Sequence, residues 1–188
     1  SAEGEVQTFG PSQMLGYFKE PDKTRETLTE DGWLRTGDLG EIDEAGRLRI
    51  VGRLKEQFKT SKGKYVAPAP IENKLATHSA IEACCVAGSG YPQPFALLML
   101  NADIAKACAS DAGQKAELAA SLTAHLDAVN AQLDDHEQLE FFVVVQEQWT
   151  VENQFITPTM KVKRPMIEGS YAKHFDSWAK ARSSVVWA

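Results

Sequence analysis

Three short apolar runs constrain this chain more than any other feature: "IEACCVAG" (81–88), "FALLML" (95–100) and "LEFFVVV" (139–145). Each is far too short to cross a membrane, and none alternates regularly with polar residues. They therefore read as buried strands. Buried strands need helices packed on them. The clearest candidate helix covers 114–133, where Leu118, Leu122, Leu126, Val129 and Leu133 recur at helical spacing with acids opposite. "APIENKLATH" gives a second, with Ile71 and Leu75 on one face. A third runs from Pro165 to Trp178, with Ile167, Tyr171, Phe175 and Trp178 in register. Pro165 suits its first turn, and Gly169 inside it costs about 1 kcal/mol of helix propensity.

The first fifty residues differ. "GEVQTFG" alternates like a strand, "PDKTRETL" opens a short helix with Pro21, and "LGEI" and "RLRIVG" flank the hairpin link "DEAG". A second hairpin joins "KEQFKT" to "KYVAP" through "SKGK", with Gly63 at the turn. The early segment has few apolar positions and leans on something else for its core. The composition shift near "GRLKE" places a boundary there, giving domains 1–52 and 53–188. The expected fold class is α+β: a small three-stranded sheet with flanking helices plus a two-stranded hairpin, preceded by a strand-rich segment.

The chain of 188 residues is 43% hydrophobic and 24% charged, ordinary for a globular protein. Its net charge of −6 and pI of about 5.3 argue against broad nucleic-acid binding. No membrane span or signal-peptide pattern is visible. Cys84, Cys85 and Cys108 read as buried core residues in a reducing, cytoplasmic compartment. The four histidines show no metal-ligand spacing, so no metal site is expected. The charge is uneven. Residues 53–74 carry six Lys/Arg and two Glu, hence +4; residues 101–140 carry two Lys and eight Asp/Glu, hence −6; residues 151–188 carry six Lys/Arg and three Asp/Glu, hence +3. Two basic segments flank an acidic one. They are either polar surfaces or, if they meet, a receptor for an anion.

Within these segments a few residues stand out. In "GWLRTGDLG", Asp38 follows a permissive glycine; it fits an acceptor for a vicinal diol and a turn aspartate capping local amides equally well. Arg53 in "VGRLKEQ" follows a strand and a glycine, and is either a surface cation or a donor to a phosphate or ribose. Gly63 suits a tight turn or a close approach of backbone to a ligand. "ITPTMKVKRPMI" (156–167) packs Lys161, Lys163 and Arg164 between two prolines, behind a pair of threonines.

Taken together, "GPSQMLGYFKEPDKTRETLTEDGWLRTGDLGEIDEAGRLRIVGRLKEQFKTSKGKYVAPAPIE" and the later "TPTMKVKR" resemble the C-terminal part of the adenylate-forming superfamily. That superfamily includes acyl-CoA synthetases, peptide-synthetase adenylation domains and luciferases. The similarity runs over nearly the whole chain in order and spacing. The form "KYVAP…IENKL…TPTMKVKR" is most similar to long-chain fatty acyl-CoA synthetases. Met160 stands where the family often has glycine before its lysine, and Pro70 where it often has glutamate near the helix start.

The resemblance implies an ATP-dependent acid–thiol ligase in which Asp38 holds the ribose hydroxyls and Arg53 contacts the nucleotide. It implies that Lys55 is the hinge about which a small C-terminal domain swings between two poses. Lys161 would enter the site for adenylation only, and Gly63 would approach the CoA arm in the second pose. ATP, with Mg2+ riding on it, and CoA would be co-substrates, neither held tightly by this chain alone. The partners implied are a large N-terminal domain of the same polypeptide and a fatty or other carboxylic acid. A phosphate loop, an adenine-binding segment and an acyl tunnel are not in the sequence, so the chain is expected to be a fragment, inactive by itself, whose parent is cytoplasmic or peripheral at a membrane. Alternatives are another adenylating enzyme (aryl-CoA ligase, peptide-synthetase adenylation domain, luciferase-like) and a stand-alone, non-catalytic module.

Overall fold

The computed structural model describes Ser1 and residues 4–188. The chain forms two compact units, Ser1–Gln57 and Phe58–Ala188.

The first unit contains β1 (Glu5–Thr8), α1 (Pro21–Thr27), β2 (Leu34–Ile42) and β3 (Leu48–Arg53), followed by a 3₁₀ turn over Leu54–Glu56. The strands form an antiparallel sheet in the order β1-β2-β3. "DEAG" closes β2 onto β3 as expected: Asp43 N–H donates to the Arg47 carbonyl at 3.0 Å, and Gly46 takes φ 77°. Among the described residues of this unit Leu39 is the one buried hydrophobic, while Phe9, Leu15, Phe18, Ile42, Leu48 and Ile50 are exposed. The thin core read from the sequence is thus a property of the folded unit.

The second unit begins with β4 (Phe58–Lys59) and β5 (Tyr65–Val66), the two-stranded hairpin around Gly63, and α2 (Pro68–Leu75). Pro70 lies in the first turn of α2, where backbone N–H groups have no intrahelical acceptor, so proline is tolerated there. Next come β6 (Ile81–Ala87), β7 (Phe95–Leu100), α3 (Ala102–Ser110), α4 (Ala112–Asn130), β8 (Phe142–Val145), α5 (Arg164–Lys180) and β9 (Val185–Trp187). The sheet order is β6-β7-β8-β9, antiparallel between β6 and β7 and parallel thereafter.

Both faces of this sheet are covered, which explains the unbroken apolar runs. Cys84, Val86, Leu98 and Val144 face one core with Ile71 and Leu75 of α2 and Leu122, Leu126 and Val129 of α4. Cys85, Ala87, Leu97 and Val143 face the other, with Ile167, Phe175 and Trp178 of α5. α5 continues through Gly169 because those three buried residues outweigh one weak position.

The fold class stands, with two additions. The sheet has a fourth strand, β9, three residues long and joined parallel to β8. A run of three residues carries too little periodicity to be read without its neighbour. Residues 102–110 form the separate helix α3, ended where Asp111 caps α4 by accepting from Gly113 N–H at 2.7 Å and Gln114 N–H at 3.2 Å.

Candidate functional site

In the first unit, "TGD" is tied down by β1. Thr36 Oγ1 donates to the Val6 carbonyl at 2.7 Å, and Gly37 N–H donates to Glu5 Oε1 at 3.0 Å. Gly37 takes φ 73°, the left-handed region that a side chain resists. This places Asp38 opposite Arg53 across the β2–β3 ladder, and Arg53 Nε donates to Asp38 Oδ1 at 3.0 Å. Asp38 therefore pairs with a cation from the neighbouring strand. Arg53 and Lys55 line a cleft of about 520 Å³ together with Gly37, Arg35 and Tyr17. Lys55 sits in the 3₁₀ turn, exposed, two residues before the division between units.

In the second unit, Gly63 and Lys161 lie on separate hairpin loops of one design. In the first, Thr60 N–H donates to the Lys64 carbonyl at 2.9 Å and Gly63 N–H to the Thr60 carbonyl at 3.0 Å. In the second, Thr157 N–H donates to the Lys161 carbonyl at 2.8 Å and Met160 N–H to the Thr157 carbonyl at 2.8 Å. The threonine side chain also serves each loop: Lys64 N–H donates to Thr60 Oγ1 at 3.3 Å, and Lys161 N–H to Thr157 Oγ1 at 3.0 Å. A three-residue loop of this type needs a left-handed residue in its last position. Gly63 supplies it with φ 80°, and Met160 with φ 60°. The Lys161 side chain is exposed at the end of its loop, while Phe155 and Ile156 root the incoming arm in the core.

Arg164, the third cation of "ITPTMKVKRPMI", is largely buried. It opens α5 and turns inward, with its side chain 13% exposed and that of Glu72 19% exposed. Nη2 donates to Glu72 Oε1 at 2.8 Å, and Nη1 donates to the Val86 carbonyl and lies 3.3 Å from Cys85 Sγ. The same Glu72 oxygen accepts from Val86 N–H at 2.8 Å. Burial alone would push the guanidinium's pKa down, but Cys85 and Glu72 outweigh it and push it up. Burial pushes the Glu168 carboxyl up, against the pull of Arg164. A charge-assisted cluster thus pins the outgoing arm of the Lys161 loop to α2 and β6. One local signal pointed to it: a cation in the first turn of a helix is disfavoured by the helix dipole, so it needs another partner.

Cys84 is buried, and desolvation pushes its thiol far up, with Glu72 adding to it. Among the described residues, no group of His, Cys, Asp and Glu is arranged to hold a metal ion, and no helix is long and apolar enough to cross a membrane.

Long chain acyl-CoA synthetase 6, peroxisomal, of Arabidopsis thaliana is 34% identical over 183 residues, spanning 90% of this chain and 26% of that protein. A putative fatty-acid–CoA ligase of Mycobacterium tuberculosis, fadD11, is 36% identical over 184 residues, spanning 93% of this chain and 32% of that protein. The chain therefore spans only about a quarter to a third of the curated relatives it matches. The adenylation domain of a carboxylate reductase from Mycobacterium chelonae superposes with a TM-score of 0.79 over 94% of this chain and 28% of that one; at 23% identity this shows a shared fold. Residues 55–182, from the hinge candidate to just past the end of α5 and with both loops between, match the AMP-binding enzyme C-terminal domain, and the chain belongs to that family.

Proposed function

We propose that this chain is the C-terminal portion of an AMP-forming acyl-CoA synthetase acting on a fatty carboxylic acid, with residues 1–52 closing the large adenylate-binding domain and 53–188 forming the mobile one. The observation that carries this reading is the Lys161 loop: an exposed ammonium on a turn whose two arms are rooted by Phe155, Ile156 and the Arg164–Glu72 cluster. Such a group can enter a remote site without disturbing its own domain.

The chemistry needs a cation of this kind. In the first half-reaction a carboxylate oxygen attacks the α-phosphorus of ATP, and the bond to the bridging oxygen breaks to release pyrophosphate. Two anions meet, and negative charge crowds the transition state. An ammonium between the carboxylate and the phosphate oxygens stabilises that charge and fixes the line of attack. Lysine suits this as a compact point charge on a long stem. In the second half-reaction the CoA sulfur attacks the acyl carbonyl, AMP leaves, and the lysine is not needed. Asp38 would accept from the ribose hydroxyls with the oxygen that Arg53 leaves free, and Arg53 would donate to the nucleotide. Lys55, beside the division between units, would absorb the torsion that exchanges the two poses. Gly63 would let the β4–β5 hairpin pass close to the CoA arm. Mg2+ would accompany ATP as its counter-ion.

The test uses a polypeptide spanning the full length of the relatives. Lys161→Ala is expected to lower acyl-AMP formation by roughly a hundredfold or more, the scale of losing one charge-stabilising donor. Thioester formation from preformed acyl-AMP should be retained. Equal losses in both half-reactions would remove Lys161 from this role. CoA-dependent AMP release with fatty, aromatic and amino acids as substrates separates a fatty acyl-CoA synthetase from the other adenylating chemistries.

A further inference from the structure

One cavity is lined by none of Asp38, Arg53, Lys55, Gly63 and Lys161. It is a groove of about 820 Å³ between α3, the start of α4 and the sheet at β7, β8 and β9. Its size falls in the range of small-molecule sites, roughly 300–1,000 Å³. Leu100, Val144 and Cys108, all buried, form its floor, and Trp187 forms one wall. Alanines of α3 and α4 leave the space open.

The charges at the groove are the unexpected part. Residues 101–140 carry two lysines against eight acids. Both lysines, Lys106 and Lys115, line the groove, and among the described residues no Asp or Glu does. Lys115 Nζ lies 4.6 Å from the centroid of the Trp187 ring, which holds the ammonium at the wall while its N–H groups stay free to donate elsewhere. Lys106 is exposed on α3. An acid-rich surface that gathers its only two cations around one apolar trough is complementary to a ligand with an apolar tail and an anionic head.

We propose that this groove is a second ligand site, which takes an aliphatic carboxylate with its tail on Leu100, Val144 and Cys108 and its carboxylate between Lys106 and Lys115. The inference rests on the groove alone and stands whether or not the parent activates fatty acids.

The experiment is an NMR titration of the ¹⁵N-labelled 188-residue chain with decanoate, kept below its micelle concentration, and with decanol as the uncharged control. Decanoate is expected to shift the amides of Leu100, Cys108 and Val144 and the indole of Trp187 in a saturable way. Decanol should bind at least about tenfold more weakly, and reversing both charges (Lys106→Glu with Lys115→Glu) should weaken decanoate by roughly tenfold or more, the sum of several exposed charge contacts. Lys106 is exposed and Lys115 is half-buried against Trp187, and an unchanged amide spectrum of the variant confirms that it folds. Equal binding of decanol and decanoate, unchanged binding by the variant, or shifts confined to exposed Leu15 and Phe18 would each overturn the proposal.

Discussion

The two hairpin loops of the second unit share a hydrogen-bond plan and differ in how they are held. Thr60–Lys64 has glycine at its left-handed position, and Ser61 N–H and Gly90 N–H bind it through backbone to the 88–91 turn, each at 2.9 Å. Thr157–Lys161 forces methionine into the same conformation and is secured at its base by a largely buried ion pair. The glycine loop has a glycine at its left-handed position and is held by backbone bonds to the 88–91 turn. The lysine loop is strained at its tip and fixed by charge at its root. Position of the lysine thus depends on a side-chain ion pair, whereas position of the glycine depends on backbone hydrogen bonds.

The largest effect should come from breaking that root. Arg164→Ala leaves the largely buried Glu72 without its cation and should cost about 3 kcal/mol, the low end of the penalty for halving a buried pair. Urea denaturation measures it. Glu72→Ala should cost a similar amount, and the double variant less than the sum, because the two share one interaction. Additive losses would mean that Arg164 is held by the Val86 carbonyl and Cys85 instead.

This contact also marks how far the sequence could be read. Leu118 to Leu133, the three apolar runs and the "SKGK" turn declare themselves because each element carries its own periodicity or turn residue. The Gly63 hairpin, α2, α4 and α5 follow directly. Asp38 and Arg53 were legible as separate candidates; their union depends on the β2–β3 register, which places them opposite each other. Arg164 and Glu72 are 92 positions apart, and nothing local joins them. β9 is short and takes its definition from β8. The unread parts are those whose partners lie far along the chain.

A smaller effect tests the loop tips. Gly63→Ala puts a side chain at φ 80°, where its Cβ would meet only Lys59 Cε at 3.7 Å, so the penalty is conformational. About 1 kcal/mol should be lost. Met160→Gly is the opposite change and should gain up to about 1 kcal/mol of native-state strain relief, offset in part by the greater freedom of glycine in the unfolded chain. Thermal unfolding of the two variants checks both signs. A loss in each would show that the Met160 side chain contributes packing that outweighs its backbone strain.

The smallest effect separates the two faces of the sheet on which these loops are rooted. Val66 of the Gly63 hairpin shares a core with α2 and α4, whereas Phe155 and Ile156 of the Lys161 loop share the opposite one. His78 lies beside the first. Its Nδ1 accepts from Ala80 N–H at 3.2 Å, its Nε2 is 3.0 Å from Ser121 Oγ, and its ring centroid is 5.0 Å from that of His125. Burial, and then His125, lower its pKa below the ordinary 6.5. A base with a depressed folded pKa binds fewer protons folded than unfolded, so stability rises with pH across that window. The contribution is complete above 6.5 and is lost as pH falls through the folded value. Denaturation on either side of 6.5 should show this slope, and His78→Gln should flatten it. Amide exchange below 6.5 should quicken around α2 and the Gly63 hairpin before it changes at Phe155 and Ile156; simultaneous loosening of both loops would show that the two cores respond to acid as one.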